Sequence, residues 1–374
     1  MIKEYFKNLF EKFKNCSLVS KILICFFSAV YLFFLIISVV PSNYVILTPG
    51  AINNTIYSVT VETENSRGYI CTVGVYEYIR PSILQSWIAK NENEMQITDY
   101  NPEENLSDKE DTQYGVISKK VSINNALITA YNKAKETNPE INLEYYYDGV
   151  IVSAIYPNAK TDLKPDDIII KVNGESFDNF EKFRSLCFDN KKENDNLKFT
   201  VKRSNGDTYN EIEVGSTIYK TLNNKNEEVL TLGISAEDYF IIDAESENTF
   251  PKFKIVDTYA SIGSSGGSLL ALSIYNGLTS EDITKITLDG KEKQLLITGT
   301  GTIDANGNIG SISGAKQKVL TAYLNKANVF FVDDKDYEEA CSALEEYDIS
   351  EDAIKIICVS TFDDMLNALK EMGD

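Results

Sequence analysis

The chain contains no histidine. Neither a Ser-His-Asp triad nor a Cys-His pair can therefore operate, and zinc sites that depend on imidazole are excluded. A hydrolase built on this sequence must take its general base from Lys, Asp, Glu or an amine. No G-x-x-x-x-G-K-[ST] stretch occurs, which removes a P-loop nucleotide site. None of the six cysteines, Cys16, Cys25, Cys71, Cys187, Cys341 and Cys358, forms a C-x-x-C pair. So large a chain does not need a disulfide scaffold, and Cys341 and Cys358 read as small core residues. Basic residues are scarce: 36 Lys and Arg stand against 56 Asp and Glu, a net charge of −20. Such a surface repels phosphate backbones and argues against a nucleic-acid partner. No cofactor and no metal is expected.

What is present is a globular composition, 43% apolar and 11% aromatic over 374 residues, long enough for two or three domains. Ile22 to Val40 reads ILICFFSAVYLFFLIISVV, without a charge. As a helix it covers roughly the ~30 Å hydrocarbon core of a bilayer. Lys3, Lys7, Lys12, Lys14 and Lys21 precede it against Glu4 and Glu11, so the positive-inside rule keeps the N-terminus in the cytoplasm and exports the rest. A cleaved signal peptide is the competing reading, but the run is long and ends in Val39-Val40-Pro41-Ser42-Asn43, with no small-x-small site.

From Tyr44 to Tyr78 the pattern is β-like, with Pro and Gly punctuation. Ser82 to Lys90 reads as a short helix, Asn91 to Gln113 as an acidic loop or irregular connection, and Ser122 to Lys135 as an amphipathic helix. A strand at Gly149–Ile155, a turn, and a second strand ending in Asn173-Gly174 suit a hairpin. A helix over Phe180–Phe188 and strands over Leu197–Arg203 and Tyr209–Val214 follow. This segment resembles a bacterial PDZ domain, with its G-V-x-V-x-x-I, L-x-x-G-D-x-I and V-N-G elements. Asp166 stands where the second element has Gly. PDZ grooves take an extended peptide as an added strand. The resemblance implies that Tyr147, Asp148, Gly149, Val150 and Ile151 border that groove, and that partners are proteins or peptides. A small β domain serving only as a spacer is the plainer alternative.

The last segment carries the chemistry. Ala260-Ser261-Ile262-Gly263-Ser264-Ser265-Gly266-Gly267-Ser268 feeds an apolar helix over Leu269–Tyr275 that ends at Asn276-Gly277. A small-residue turn at a helix N-terminus presents a hydroxyl beside backbone N–H groups able to hold an oxyanion. Alone it is a weak signal, because Gly/Ser turns are mostly only turns. Downstream lie the strand Leu296–Ile303, which contains Thr298-Gly299, and the turn and helix Ser311–Ala322, which contain Lys316 and Lys318. In this order the three pieces resemble the Lon protease catalytic domain, over roughly Leu230 to Met372. That family has a G-P-S-A-G nucleophile turn, a T-G strand and a G-x-V-x-P-I-G-G-x-x-x-K-x-x-A-A helix.

The resemblance implies Ser265 as nucleophile, Lys318 as base and Thr298 as the residue orienting Lys318. Gly263, Ser264 and Gly266 would line the substrate. Lys316 and Lys318 lie about 200° apart on a helix, so they cannot both enter one site. Core-type positions Ala315, Val319 and Ala322 favour Lys318. Ser264 and Gly266 depart from the family's Pro and Ala, Ser311-Ile312-Ser313-Gly314 departs from P-I-G-G, and Ile262 replaces an acidic residue before the turn.

The expected fold class is α+β: a transmembrane helix, a PDZ-like β-rich domain and a Lon-type α+β catalytic domain. The expected layout is residues 1–21 cytoplasmic, 22–41 transmembrane, 42–121 an exported β-rich linking region, 122–215 PDZ-like and 216–374 proteolytic. It resembles bacterial membrane-bound Lon-like proteases with a PDZ domain. The implied activity is ATP-independent cleavage of exported or membrane-associated proteins, with no nucleotide partner and with homo-oligomers plausible by resemblance. A catalytically silent scaffold that binds peptides, or an anchored peptide binder with a merely structural GSSGG turn, are the other readings.

Overall fold

The computed structural model describes residues 2–65, 67–206, 208–223, 226–256, 262–288 and 290–373. Helix α1 covers Ile2–Lys14 and α2 covers Leu18–Val39. The start of α2 is set by a cap rather than by the last charge: Ser17 Oγ accepts from the Ser20 amide at 3.1 Å, which offsets one of the orphan donors of the first turn. An 18-residue window within its 22 residues has a mean hydropathy of 2.8, and none of the helix is buried. At 1.5 Å per residue the helix is about 33 Å long, enough to cross a bilayer.

Strands β1 (Tyr44–Asn54), β2 (Val59–Val61) and β3 (Cys71–Ile79) come next, then α3 (Ile83–Ala89), β4 (Gln96–Asp99) and α4 (Asp108–Lys135). β1 lies between β3 and β4 in one sheet. The chain forms two compact units, residues 1–46 with 77–100 and residues 47–76 with 101–374. In the first, α3 starts on a reciprocal cap between Ser82 and Gln85, and Ser86 meets Ser42 hydroxyl to hydroxyl at 2.7 Å. The acidic stretch 91–113 is more regular than its composition suggests. It holds β4 and the first turns of α4, because Glu110 reaches back to the Ser107 amide at 2.9 Å. Asp108, Glu110 and Asp111 then suit the positive end of the helix dipole.

In the second unit the central sheet is built from β5 (Tyr145–Ile155), β6 (Lys160–Thr161), β7 (Ile168–Val172), β8 (Glu175–Ser176), β9 (Asn196–Ser204) and β10 (Tyr209–Thr217), with α5 (Phe180–Phe188) between β8 and β9. After the hairpin β11 (Tyr219–Leu222) and β12 (Glu228–Thr231), β13 (Ile234–Ile242) returns to the sheet. The strand order is β13-β5-β7-β9-β10-β6, with β8 beside β7. The expected boundary after residue 215 therefore falls inside β10, and β13 belongs to this sheet. Asp166, at φ 73, takes the left-handed turn for which glycine is favoured. Aspartate tolerates that region better than most residues, because its short side chain bonds locally. Asp167, 1% exposed, fastens the same turn by accepting from Arg203 Nη2 at 2.6 Å and the Lys164 amide at 2.8 Å.

The chain continues with β14 (Phe253–Ile255), α6 (Gly267–Leu278), the hairpin β15 (Lys285–Leu288) and β16 (Lys291–Gln294), β17 (Ile297–Gly299), β18 (Thr302–Ile303) and β19 (Ile309–Gly310). Then come α7 (Ala315–Leu324), β20 (Val329–Asp333), α8 (Tyr337–Glu346), β21 (Lys355–Val359) and α9 (Phe362–Glu371). β17, β20 and β21 are parallel neighbours, and α7 and α8 are the crossovers such pairing requires.

The cores do not follow chain order. Val59 and Val61 of β2, Leu127 and Tyr131 of α4, Leu269 and Leu272 of α6 and Met365 of α9 share one cluster. Val73 of β3 packs with Val319 of α7 and Phe330 of β20. The stretch expected as a linking region thus supplies core to the C-terminal segment, and the central sheet is inserted between α4 and α6. The first half of α4 instead packs Ile117 and Val121 on Ile151, Ile168 and Tyr239 of the sheet. Of the cysteines, Cys71 and Cys187 are buried, whereas Cys341 is half-buried and Cys358 exposed. The expected core role for Cys358 fails because it lies on an outward position of β21.

Leu127 is fully buried between α4 and α6. Leu127→Ala is expected to cost about 2–5 kcal/mol in denaturant unfolding. A loss below about 0.5 kcal/mol, the range of ordinary surface substitutions, would contradict the shared core.

Candidate active site and peptide edge

The turn before α6 is held from three sides. The Gly263 amide donates to the Gly115 carbonyl of α4 at 2.8 Å, and Ser122 Oγ donates to the Ser264 carbonyl at 3.2 Å. The Ser265 carbonyl accepts from the Gly301 amide at 2.7 Å and from Thr300 Oγ1 at 3.1 Å. The half-buried Ser265 therefore sits on a fixed backbone at the positive end of α6, where developing negative charge is favoured. Gly266 is required here by space. A Cβ at this position would lie 2.6 Å from Thr72 Cγ2. Ser268 faces inward, 1% exposed, and its amide donates to the Gly301 carbonyl at 3.2 Å. Ala260 and Ser261, the start of the expected turn, lie outside the described residues.

Lys318 projects from α7 and is 3% exposed. Its Nζ donates to Thr300 Oγ1 at 3.1 Å. Burial pushes its pKa from 10.5 down to about 8, and the carboxylates of Asp336 and Glu339 partly oppose that fall. Asp336 also clamps the loop entering α7, accepting from Ser311 Oγ at 2.6 Å and the Ile312 amide at 2.7 Å. Ser311 thus has a bonded role at the entry to α7. Lys316 points elsewhere and pairs with Glu346 at 2.6 Å at the surface.

The hydrogen bond expected between Thr298 and Lys318 is not made. Thr298 is fully buried in β17 and donates to the Val329 carbonyl of β20 at 2.7 Å. Thr300 takes its place, joining Lys318 Nζ to the Ser265 carbonyl. The repeat Thr298-Gly299-Thr300-Gly301 offers two registers for one T-G element, which is the signal that sequence reasoning passed over. A cavity opens beside Ser265, lined by Thr72, Val73, Ser122, Ile123, Ile262 and Leu270.

Gly149, Val150 and Ile151 do not border an open groove. They pair with Tyr239, Asp238 and Glu237 of β13 on one edge of β5. On the other edge Val150 and Ile151 pair with Ile169 and Ile168 of β7. A strand bonded on both sides has no edge left for a peptide. Tyr147 likewise faces Phe240, and Asp148 is buried in an ion pair with Lys202. Gly149, at φ 137, is there because the Ile169 carbonyl leaves no room for a Cβ.

The edge strand on this side is β13. Its Ile234 and Ala236 pack on the cluster that also holds Phe183 and Cys187 of α5, and its Asp238 carboxylate accepts from the Phe180 amide where α5 begins. Glu237 on this strand is pushed up to about 7 by burial, reinforced by neighbouring Asp238. The Phe240 carbonyl is already taken by Asn124 Nδ2 at 2.8 Å.

Residues 117–214 match the PDZ domain family model. Among solved structures, the solution structure of the second domain of the Listeria protein Lin2157 is similar at 21% identity, over 27% of this chain and 91% of that one. Its TM-score is 0.18, too low to say anything about arrangement. None of the curated proteins matches the chain. A PDZ domain is a peptide- or protein-binding module, so a protein or peptide partner follows for the central domain.

The two threonines are separable. Thr300→Val removes an acceptor that favours the ammonium and should lower the pKa of Lys318 further, on the order of one unit. Thr298→Val should leave that pKa unchanged and cost about 1–2 kcal/mol of stability. Competitive acylation of the lysine amines against pH measures both; the opposite ranking would restore Thr298 as the partner.

Proposed function

We propose that the chain is a membrane-anchored, ATP-independent serine endopeptidase with a Lon-type Ser-Lys dyad, whose PDZ module engages protein or peptide segments. The observation that carries this reading is Lys318. It is a buried lysine with its pKa lowered to about 8, joined through Thr300 to the backbone of Ser265. A lysine buried away from water costs stability, and a base for serine at working pH is what such burial supplies. The Lon-type likeness rests on the three ordered motifs together with this geometry.

In the proposed reaction neutral Lys318 takes the Ser265 hydroxyl proton as Oγ attacks a peptide carbonyl. The resulting ammonium protonates the leaving amine as the C–N bond breaks. A water, deprotonated by the same amine, then hydrolyses the acyl-enzyme. Thr300, in place of Thr298, positions Lys318. An extended substrate or recruiting peptide lies along β13 beside α5, the edge that β5 does not offer. Helix α2 spans the membrane with the lysine-rich N-terminus in the cytoplasm and the rest outside, which directs the activity at exported or membrane-associated proteins.

The reading is tested with full-length protein in detergent and an unfolded protein substrate. Cleavage by the wild type and its loss, by about 10³-fold or more, in Ser265→Ala and Lys318→Met is expected. Equal cleavage by all three sinks the dyad. No cleavage by any favours a silent scaffold, a reading that gains from Lys318 Nζ bonding to Thr300 Oγ1 rather than Ser265 Oγ.

The base must be neutral, so kcat/KM should rise with pH toward a plateau above about 8, falling about tenfold per unit below it. The stability effect has a definite sign. The folded pKa of Lys318 lies below its unfolded value near 10.5, so the unfolded chain binds more protons between about 8 and 10.5. Lys318 therefore penalises folding fully below pH 8, and the penalty fades as pH rises through that window. Lys318→Met should accordingly be about 1–3 kcal/mol more stable than wild type at pH 7, and not at pH 11. Denaturant melts at the two pH values check this; a variant less stable at pH 7 would contradict the buried-base assignment.

A further inference from the structure

Helix α1 is not used by the proposed chemistry, yet its side chains are ordered by type. At about 100° per residue, Tyr5, Phe6, Phe10 and Phe13 fall within an arc of about 140°. Lys7 and Lys14 border one side of that arc and Lys12 the other, while Glu4 and Glu11 occupy the opposite pole. Tyr5, Phe6 and Phe10 are 65%, 63% and 59% exposed, so three aromatic rings face outward together. Lys14 Nζ lies 4.9 Å from the Phe10 ring centroid and 3.3 Å from Glu11, leaning along the helix at the border of the apolar arc.

Aromatic rings on one face, lysines at its margins and acids farthest away suit a helix lying in the plane of a lipid surface. The rings enter the acyl boundary, the lysine stems extend toward headgroups, and the carboxylates stay in water. Three residues, Asn15, Cys16 and Ser17, separate α1 from α2. A connection that short keeps α1 within reach of whatever surface α2 enters. The lysine-rich margin contrasts with a chain of net charge −20, and it complements anionic headgroups. Acidic side chains of a second copy would also attract the lysines, so it is the three-residue link to α2, which keeps the aromatic face beside the surface α2 enters, that selects the lipid.

We infer that α1 is an interfacial helix, with Phe6 and Phe10 seated in the lipid leaflet at the N-terminal end of α2 and its lysines on anionic headgroups. The inference rests on α2 being a membrane span. It makes the N-terminal segment a second attachment that fixes the depth and azimuth of α2, beyond a charged flank that sets orientation.

The chain has a single tryptophan, Trp87, so a Trp87→Phe background gives a dark reference for site-specific probes. Phe6→Trp, Asn8→Trp and Tyr31→Trp are made singly in the full chain. Each is reconstituted in bilayers of phosphatidylcholine and phosphatidylglycerol whose acyl chains carry bromine near the headgroup for positions 6 and 8, and near the chain end for position 31, which lies close to the middle of α2. Quenching at position 6 should exceed that at position 8 by about twofold or more, with position 31 quenched as the control. Equal quenching at 6 and 8 with position 31 quenched overturns the interfacial helix and leaves the span standing. An unquenched position 31 refutes the span itself and this inference with it. A probe at position 6 shielded from aqueous acrylamide yet unquenched by brominated lipid would show the face covered by protein, and would overturn the lipid assignment.

Discussion

Packing of α4 on α6 governs where the chemistry can occur. Leu127 and Tyr131 from one helix share a core with Leu269 and Leu272 from the other, and the Tyr131 hydroxyl ties α4 to the segment before β14 by donating to the Pro251 carbonyl at 2.7 Å. The same helix α4 holds the turn preceding α6, through the Gly115 carbonyl and the Ser122 hydroxyl. A change in the α4–α6 contact would therefore move the Ser265 backbone, not merely loosen a core. The turn is short and rich in small residues, with little intrinsic preference for one conformation; packing against α4 and Thr72 supplies what its own sequence does not.

Lys318 is the second constraint, and it opposes stability. An ammonium at 3% exposure is tolerated only because Thr300 accepts a bond from it and Asp336 and Glu339 lie near enough to favour its charge. A methylene-rich side chain of the same length without the amine would fill that space more cheaply. A buried, partly compensated lysine beside a serine-bearing helix terminus is the arrangement from which a catalytic role is inferred.

The central domain sits between α4 and α6 in the chain, yet α4 touches both: its first half meets the sheet through Ile117 and Val121, its second half meets α6. A bound segment along β13 would lie on a strand whose Tyr239 contacts that first half. A peptide bound there would share one helix with the Ser265 turn, a physical link between the PDZ module and the site proposed to cut. Glu237, on the same strand and pushed toward neutrality by burial, adds a charge whose state changes near neutral pH.

Much of this was legible in residue order. The long apolar run, the PDZ elements from Gly149 to Gly174, the helix Phe180–Phe188 and the GSSGG turn before an apolar helix all arise from local pattern, which periodicity and turn chemistry report directly. The absence of histidine, with the helical phase of Lys316 and Lys318, singled out one lysine before any coordinates. What tertiary structure decided was of another kind. Thr298 and Thr300 are equivalent by sequence; only the pairing of β17 with β20 turns the first hydroxyl to a backbone carbonyl and leaves the second for Lys318. Gly149–Ile151 look like an open edge until β13, far along the chain, closes it. The start of α4 at Ser107 was read as loop, although its Ser107–Glu110 cap is a local feature, and the sharing of α4 between two cores has no local signal, because which faces of a helix are buried depends on partners brought together by long-range contacts. Strand edges, hydroxyl partners and the burial that lowers a lysine pKa are properties of neighbours in space, and no spacing along the chain specifies them.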